Sequence, residues 1–224
     1  MYTKEQFSLP LPAMRDFVRA KSFGVLATHH AGEVFTSPLP IDLRETADGE
    51  LFVAGHVARA NGMSAVFETG APATITVLGP DTYVPAEWFG TRSRIPTWLY
   101  CAVEISGRLE LSDDTRKRAD VEVLIDRLQR DAVPGSTWTL DEIPAHLSEE
   151  YLKHIVGYRL LDLRLTSCFR LNQGKGGIES LADALRSAGD SARRELADLT
   201  LAPPTADADP TPAPPTAGPD RSAS

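Results

Sequence analysis

Between Thr97 and Leu111 the chain alternates with a period of two. Leu99, Cys101, Val103, Ile105, Leu109 and Leu111 share one parity, and Glu104, Ser106, Arg108 and Glu110 share the other. A segment of that length with one apolar and one polar edge is a β-strand that buries one face and wets the other. Two large rings, Trp98 and Tyr100, start the polar edge. Gly107 interrupts the pattern and reads as a bend or bulge, the device by which a sheet curls toward a barrel.

Other strand-like runs surround this one. They are Phe23 to Thr28, Glu33 to Ile41, Leu51 to Ala54 and Ala73 to Leu78, the last rich in β-branched residues. The turn His30-Ala31-Gly32-Glu33 suits a hairpin between the first two. Gly157 to Leu165 alternates Leu161, Leu163 and Leu165 against Asp162 and Arg164, and a strand-like Cys168 to Leu171 follows. Helical spacing predicts a short amphipathic helix at 14–20 and another after Ser112-Asp113-Asp114, carried by Val121, Leu124, Ile125 and Leu128. Further helices are expected near Ser148, over 178–187 and over 192–199. Closely spaced strands with helices between and after them predict an antiparallel, mainly β, α+β domain built on a small barrel. The domain is expected to span residues 1–200, and the Pro, Ala, Thr and Asp tail at 201–224 to be disordered.

A chain of 224 residues with 42% hydrophobic and 24% charged residues has enough apolar surface for one good core. Its net charge of −8 argues against broad, non-specific contact with nucleic acid or anionic membrane. Cys101 and Cys168 lie in strand-like runs without metal-ligand spacing and are expected to be small, reduced core residues of a cytosolic protein. No signal pattern and no membrane-spanning run are present, so a cytoplasmic location is expected. Gly-x-Ser-x-Gly, Walker and His-Glu-x-x-His patterns are absent, and His29-His30 lacks a second ligand pair, so no metal is expected.

The chemistry concentrates in Ala54-Gly55-His56-Val57-Ala58-Arg59-Ala60-Asn61, which reads as a strand-to-helix turn. Free backbone N–H groups and the dipole at a helix start favour an anion, and Arg59 offers a planar fork to phosphate oxygens. A surface ion pair is the plainer role for Arg59. His56 suits either a donor to phosphate or ribityl hydroxyl, or a turn histidine satisfied by backbone. Asn61 suits the same anion or a local cap.

Several short patterns then stand in register with a known family. Met1-Tyr2 with Phe7, Gly55 to Asn61, Gly79-Pro80 with Tyr83-Val84 and Trp88-Phe89, Pro96-Thr97-Trp98 with Tyr100, and Phe169-Arg170-Leu171-Asn172-Gln173 occur in its order. The chain resembles the PaiB-type FMN-binding negative transcriptional regulators from Met1 to about residue 185. The resemblance implies an antiparallel split β-barrel with peripheral and C-terminal helices, a homodimer, and non-covalent FMN at the subunit interface. It implies that the phosphate lies at His56, Arg59 and Asn61, with the flavin ring near Thr36-Ser37-Pro38-Leu39-Pro40, so that Ser37 is a contact. It also implies that the partner chain supplies Trp98 and Tyr100, together with Gln173 and Lys175. Trp98 and Tyr100 suit either ring stacking or a dimer anchor. Gln173 suits a flavin carbonyl or a strand-end amide bonded to backbone, and Lys175 an anion contact or a plain loop.

Four departures from the family pattern are visible. Ser37-Pro38-Leu39-Pro40 stands for Thr-His-Leu-Pro, removing an imidazole and a backbone donor. Leu99 replaces an asparagine, Gly62 a proline, and Arg170-Leu171-Asn172-Gln173-Gly174 replaces Lys-Leu-Ser-Gln-Asn. No residue announces itself as a general acid or base, so catalytic residues stay unassigned. Three classes of function fit: a flavin-binding regulator, a flavin-dependent oxidoreductase or flavin reductase, and a flavin-free binding module. No helix-turn-helix with a basic recognition face is apparent, which makes direct DNA binding the weaker form of regulation.

Overall fold

The computed structural model describes residues 1–204. Seven strands form one antiparallel sheet: β1 (Phe23–His30), β2 (Glu33–Pro40), β3 (Asp42–Glu45), β4 (Leu51–Ala58), β5 (Pro72–Val84), β6 (Thr97–Leu111) and β7 (Ile155–Arg170). Their order is β2-β1-β5-β6-β7-β4-β3, so β2 and β3 occupy opposite edges. Only Ile41 separates those two strands along the chain. Two edges joined by one residue force the sheet to curl until its ends meet, which makes it a barrel.

The inner face carries the alternating apolar set. Leu26, Ile75, Val103, Ile105, Leu109 and Leu160 are fully buried, and Phe169 nearly so. A 3₁₀ segment, Gly62–Thr69, sends Met63, Val66 and Phe67 into the same core, with the Phe67 ring 4.9 Å from that of Tyr158. Two glycines permit close approaches. A Cβ at Gly55 would stand 2.6 Å from the Tyr158 hydroxyl, and one at Gly107 would stand 2.4 Å from the Leu161 carbonyl oxygen. The register between β6 and β7 slips beside Gly107, and Asp162 opposite adopts φ 55°. The expected bulge is therefore present.

Helix α1 (Leu11–Lys21) lays Phe17 edge-on against Phe169 at 5.0 Å. Helix α2 (Asp114–Ala132) begins at Asp113, whose carboxylate accepts from the Arg116 amide at 2.8 Å. It is fastened outside β3, β4 and β7 by charge. Asp120 accepts from Arg44 and, at 2.7 and 2.9 Å, from Arg159, while Arg127 donates to Asp42 at 3.1 Å. Phe52 lies within 4.9 Å of the Arg44 guanidinium and 4.5 Å of that of Arg159. Helix α3 (Ala145–Lys153) precedes β7, and α4 (Ile178–Ser187) packs on α5 (Ser191–Leu201).

Several elements differ from the sequence expectation. The segment expected to turn after Ala54 continues as strand to Ala58, because β7 supplies six paired residues along it. His56 is therefore a strand residue opposite Gly157, and the element after Asn61 is 3₁₀, not α. The expected strands 157–165 and 168–171 are one strand, since β6 pairs across both. Strand β5 runs on past the expected end at Leu78, through a bulge, to Val84, and so includes Tyr83. Strand β3 was not expected: at four residues it is too short to show a period. Both cysteines are free and buried, as expected. The expected disorder of the tail falls almost entirely outside the described residues, although α5 reaches Leu201. Among the described residues no helix is long and apolar enough to cross a membrane.

Candidate functional site

The eight candidate residues fall into two groups. Asn61 and Ser37 meet where β4 ends at the barrel rim, Arg59 follows that strand, and His56 stands three residues before Arg59 on the strand's outer face. Chain direction explains this, because Arg59 and Asn61 follow β4 directly and Ser37 comes from β2, which closes against that end.

Asn61 connects the group. Its side-chain oxygen accepts from the Met63 amide at 3.0 Å, capping the 3₁₀ segment, and its side-chain nitrogen donates to Ser37 Oγ at 3.2 Å. The side chain of Arg59 is exposed yet fixed. Its Nε donates to the Lys153 carbonyl at 2.7 Å and its Nη2 to the Ile155 carbonyl at 3.2 Å. The Lys153 carbonyl lies at the C-terminal end of α3, where unsatisfied acceptors and the helix dipole attract a cation, and the Ile155 carbonyl opens β7. Two of the five guanidinium N–H groups are thereby used and three are left over. His56 shares the outer face of the sheet with Gly157, over which Lys117 passes. Its Nδ1 is buried without a partner, and burial lowers its pKa below the usual histidine value. The imidazole is neutral at pH 7. The carboxylate of Asp114 is nearby, but Lys117 donates to it at 2.8 Å and holds its carboxyl below the ordinary range.

The second group sits at the far end of β7. Tyr100 pairs with Arg170, whereas His56 pairs with Gly157. Twelve strand residues lie between those pairings, which is about 40 Å along the strand. Trp98 is 52% exposed, donates from Nε1 to Asp81 at 2.8 Å, and has Tyr83 as a ring neighbour at 6.1 Å. Tyr100 is half-buried and accepts from the Cys168 thiol at 3.2 Å. That bond, with burial, raises its pKa, so the phenol stays protonated. Gln173 has both ends of its amide bonded to backbone: Oε1 accepts from the Leu171 amide at 2.8 Å and Nε2 donates to the Phe169 carbonyl at 2.5 Å. These are the bonds expected of a strand-end amide, and one Nε2 N–H is left over. Lys175 is exposed in the loop before α4. No hydrogen bond joins the two groups among the described residues.

The rim group fits a phosphate monoester in its chemistry. The Arg59 guanidinium keeps free N–H groups, the His56 imidazole is unpartnered at Nδ1, and Asn61 and Ser37 bond each other. Residues 1–161 match the family described as "Putative FMN-binding domain". The chain belongs to that FMN-binding family. Two sequence relatives and two solved structures place this member further. "Protease synthase and sporulation protein PAI 2" of Bacillus subtilis is 23% identical over 82% of this chain and 88% of its own length. "Uncharacterized protein AN0679" of Emericella nidulans is 22% identical over 83% and 90%. The FAD and heme binding protein from Mycobacterium smegmatis superposes with a TM-score of 0.55 at 19% identity, covering 83% of this chain and 81% of that one. The flavocytochrome Anf3 from Azotobacter vinelandii gives 0.54 at 18%, covering 75% and 72%. At those identities the structural likeness establishes the fold, a flavin-type split barrel.

Sequence reasoning passed over three features of this family member. The Trp98–Asp81 bond depends on the β5 bulge, which sets their register. The Tyr100–Cys168 contact joins residues on adjacent strands with a shared outer face; only the pairing of β6 with β7 reveals it. The bonding of Arg59 to the end of α3 required knowing where that helix stops.

Proposed function

We propose that this protein binds FMN non-covalently in a homodimer, with the phosphate held at the rim by Arg59, His56, Asn61 and Ser37. The single observation that carries the reading is the preset guanidinium of Arg59, fixed by two carbonyls and left with three free N–H groups. A donor already ordered loses little entropy when an anion arrives. His56 takes part as a neutral imidazole whose buried Nδ1 lacks a partner, and a dianion beside it would raise its pKa again.

The homodimer is proposed because the candidate residues occupy two separate ends of one chain. Across a two-fold axis the Trp98 and Tyr100 edge of one copy can face the rim of the other. The exposed side chains Phe23 (54%), Leu78 (62%) and Trp98 (52%) on β1, β5 and β6 supply the apolar area such contact needs. Bound flavin supplies reversible electron transfer. This chain's residues would bind it, orient it and shield it from water. The regulatory role implied by the resemblance is proposed only in a flavin-linked form, since a net charge of −8 opposes direct contact with DNA.

The test is an FMN titration followed by absorbance and fluorescence quenching, on the full chain and on Arg59→Ala. Loss of charge-assisted hydrogen bonds of this kind weakens binding by about tenfold to a hundredfold. Equal affinity in the variant overturns the phosphate assignment. A colourless protein that ignores added FMN overturns the reading itself, and leaves the flavin-free module.

A further inference from the structure

A separate cavity of about 240 Å³ opens between the N-terminal segment and the ends of β6 and β7. Its walls carry Lys4, Arg170 and Lys175, and no aspartate or glutamate. Among the described residues none of these three cations pairs with a carboxylate, although most other arginines and several lysines do. Unpaired like charges around one concavity repel each other and create a positive potential that an anion relieves.

Two polar groups in the wall add direction. Asn172 lines the cavity, is only 7% exposed, and its side-chain nitrogen is buried with no partner. An orphaned buried donor costs free energy unless something occupies it. Asn172 also adopts φ 72°, a left-handed conformation that breaks the extended backbone just past the end of β7. Tyr100 accepts from Cys168 and keeps its own proton, so its hydroxyl remains free to donate. The wall is held in place. The Leu9 amide donates to the buried Ser167 hydroxyl at 2.7 Å, tying the N-terminal segment to β7.

We propose that this cavity binds a compact organic anion, a carboxylate or phosphate monoester, through Arg170, Lys4 and Lys175, with Asn172 and Tyr100 as neutral donors. Sites for larger ligands run to roughly 300–1,000 Å³, so a volume of about 240 Å³ suits a small molecule. The cavity lies within one chain and shares Tyr100, Gln173 and Lys175 with the residues that the resemblance gives to flavin, so the FMN arm of the test decides whether the two sites are separate.

Calorimetric titration of the full chain, with and without FMN, is the test, using inorganic phosphate and malonate as the two probes. Binding of at least one probe in the millimolar range is expected, and the stronger of the two identifies the source of the charge. Arg170→Gln should weaken it about tenfold or more. Asn172→Gly preserves the positive φ while removing the amide, and should weaken it severalfold with the melting temperature nearly unchanged. Absence of heat with both probes up to roughly 50 mM, weaker than any useful site, overturns the proposal. So does an Arg170→Gln variant that binds like the parent. Should Arg170→Gln lose FMN as well as the probe, the cavity is part of the flavin site and the claim of separateness fails. A protein that binds the probe but not FMN overturns the flavin reading alone.

Discussion

The imidazole of His56 is neutral because pairing with β7 hides it, and that has a consequence for acid stability. Its folded pKa lies below the ordinary 6.5, so below that pH the unfolded chain takes up a proton more readily than the folded one. Stability contributed by the neutral form is complete above pH 6.5 and drains away as pH falls toward the depressed folded value. The melting temperature should therefore decline on acidification from about pH 6.5, and His56→Gln should flatten that part of the profile. An unaltered profile in the variant would show that other groups set it. Tyr158 acts at the alkaline end: burial raises its pKa, so the stability contributed by its neutral form is full below the ordinary value of 10.0 and is lost as pH rises above it.

Among the elements, α2 is the one held most by charge. Burial disfavours the charge on Asp120, but hydrogen bonds from Arg159 and Arg44 overcome it and hold the carboxyl below its ordinary range. Removing one partner of a buried ion cluster leaves the others uncompensated, at a cost of about 3–5 kcal/mol. Asp120→Asn should accordingly lose about 3 kcal/mol in urea unfolding, with the loss smaller at low pH where the parent carboxylate is itself protonated. The sign follows from the depressed pKa: this stabilisation is present above the unfolded value near 3.8 and disappears as pH falls through the folded one. Because α2 flanks the strand that carries His56, Asp120→Asn should also weaken FMN binding, read in the same titration as for Arg59→Ala.

At the scale of the whole molecule the proposed dimer makes its own prediction. Analytical ultracentrifugation of the parent should give a mass near twice 24.3 kDa. Leu78→Asp, on a side chain that one chain leaves 62% exposed, should give the single-chain mass while its far-UV spectrum is preserved. The same variant should bind FMN at least about tenfold more weakly if the second copy contributes to the site, which is a loss of the kind a few interfacial contacts produce. A monomeric parent with full FMN affinity would refute the two-chain site.

How much of this was legible in the sequence depends on what fixes each feature. The long β6 alternation, the Gly107 bulge, the Asp113 cap and the two C-terminal helices are local: period, conformational freedom and capping chemistry are written in neighbouring residues. The FMN-binding family was legible too, because several short patterns in order survive where any one is ambiguous. The extent of β4, the union of β7 and the existence of β3 were not legible. A strand's length is set by the partner that pairs with it, and the partners lie far away in the chain. The candidate site divides in the same manner. Residue types named Arg59, His56 and Asn61 as anion chemistry, but only tertiary contacts decided that Arg59 would be fixed by the end of α3, that Asn61 would bond Ser37, and that Gln173 would be occupied by backbone. Sequence alone determined which elements could form and which chemistry the chain carries; the closing of the barrel decided which of those groups meet, because distances between strands are fixed by pairing and not by order along the chain.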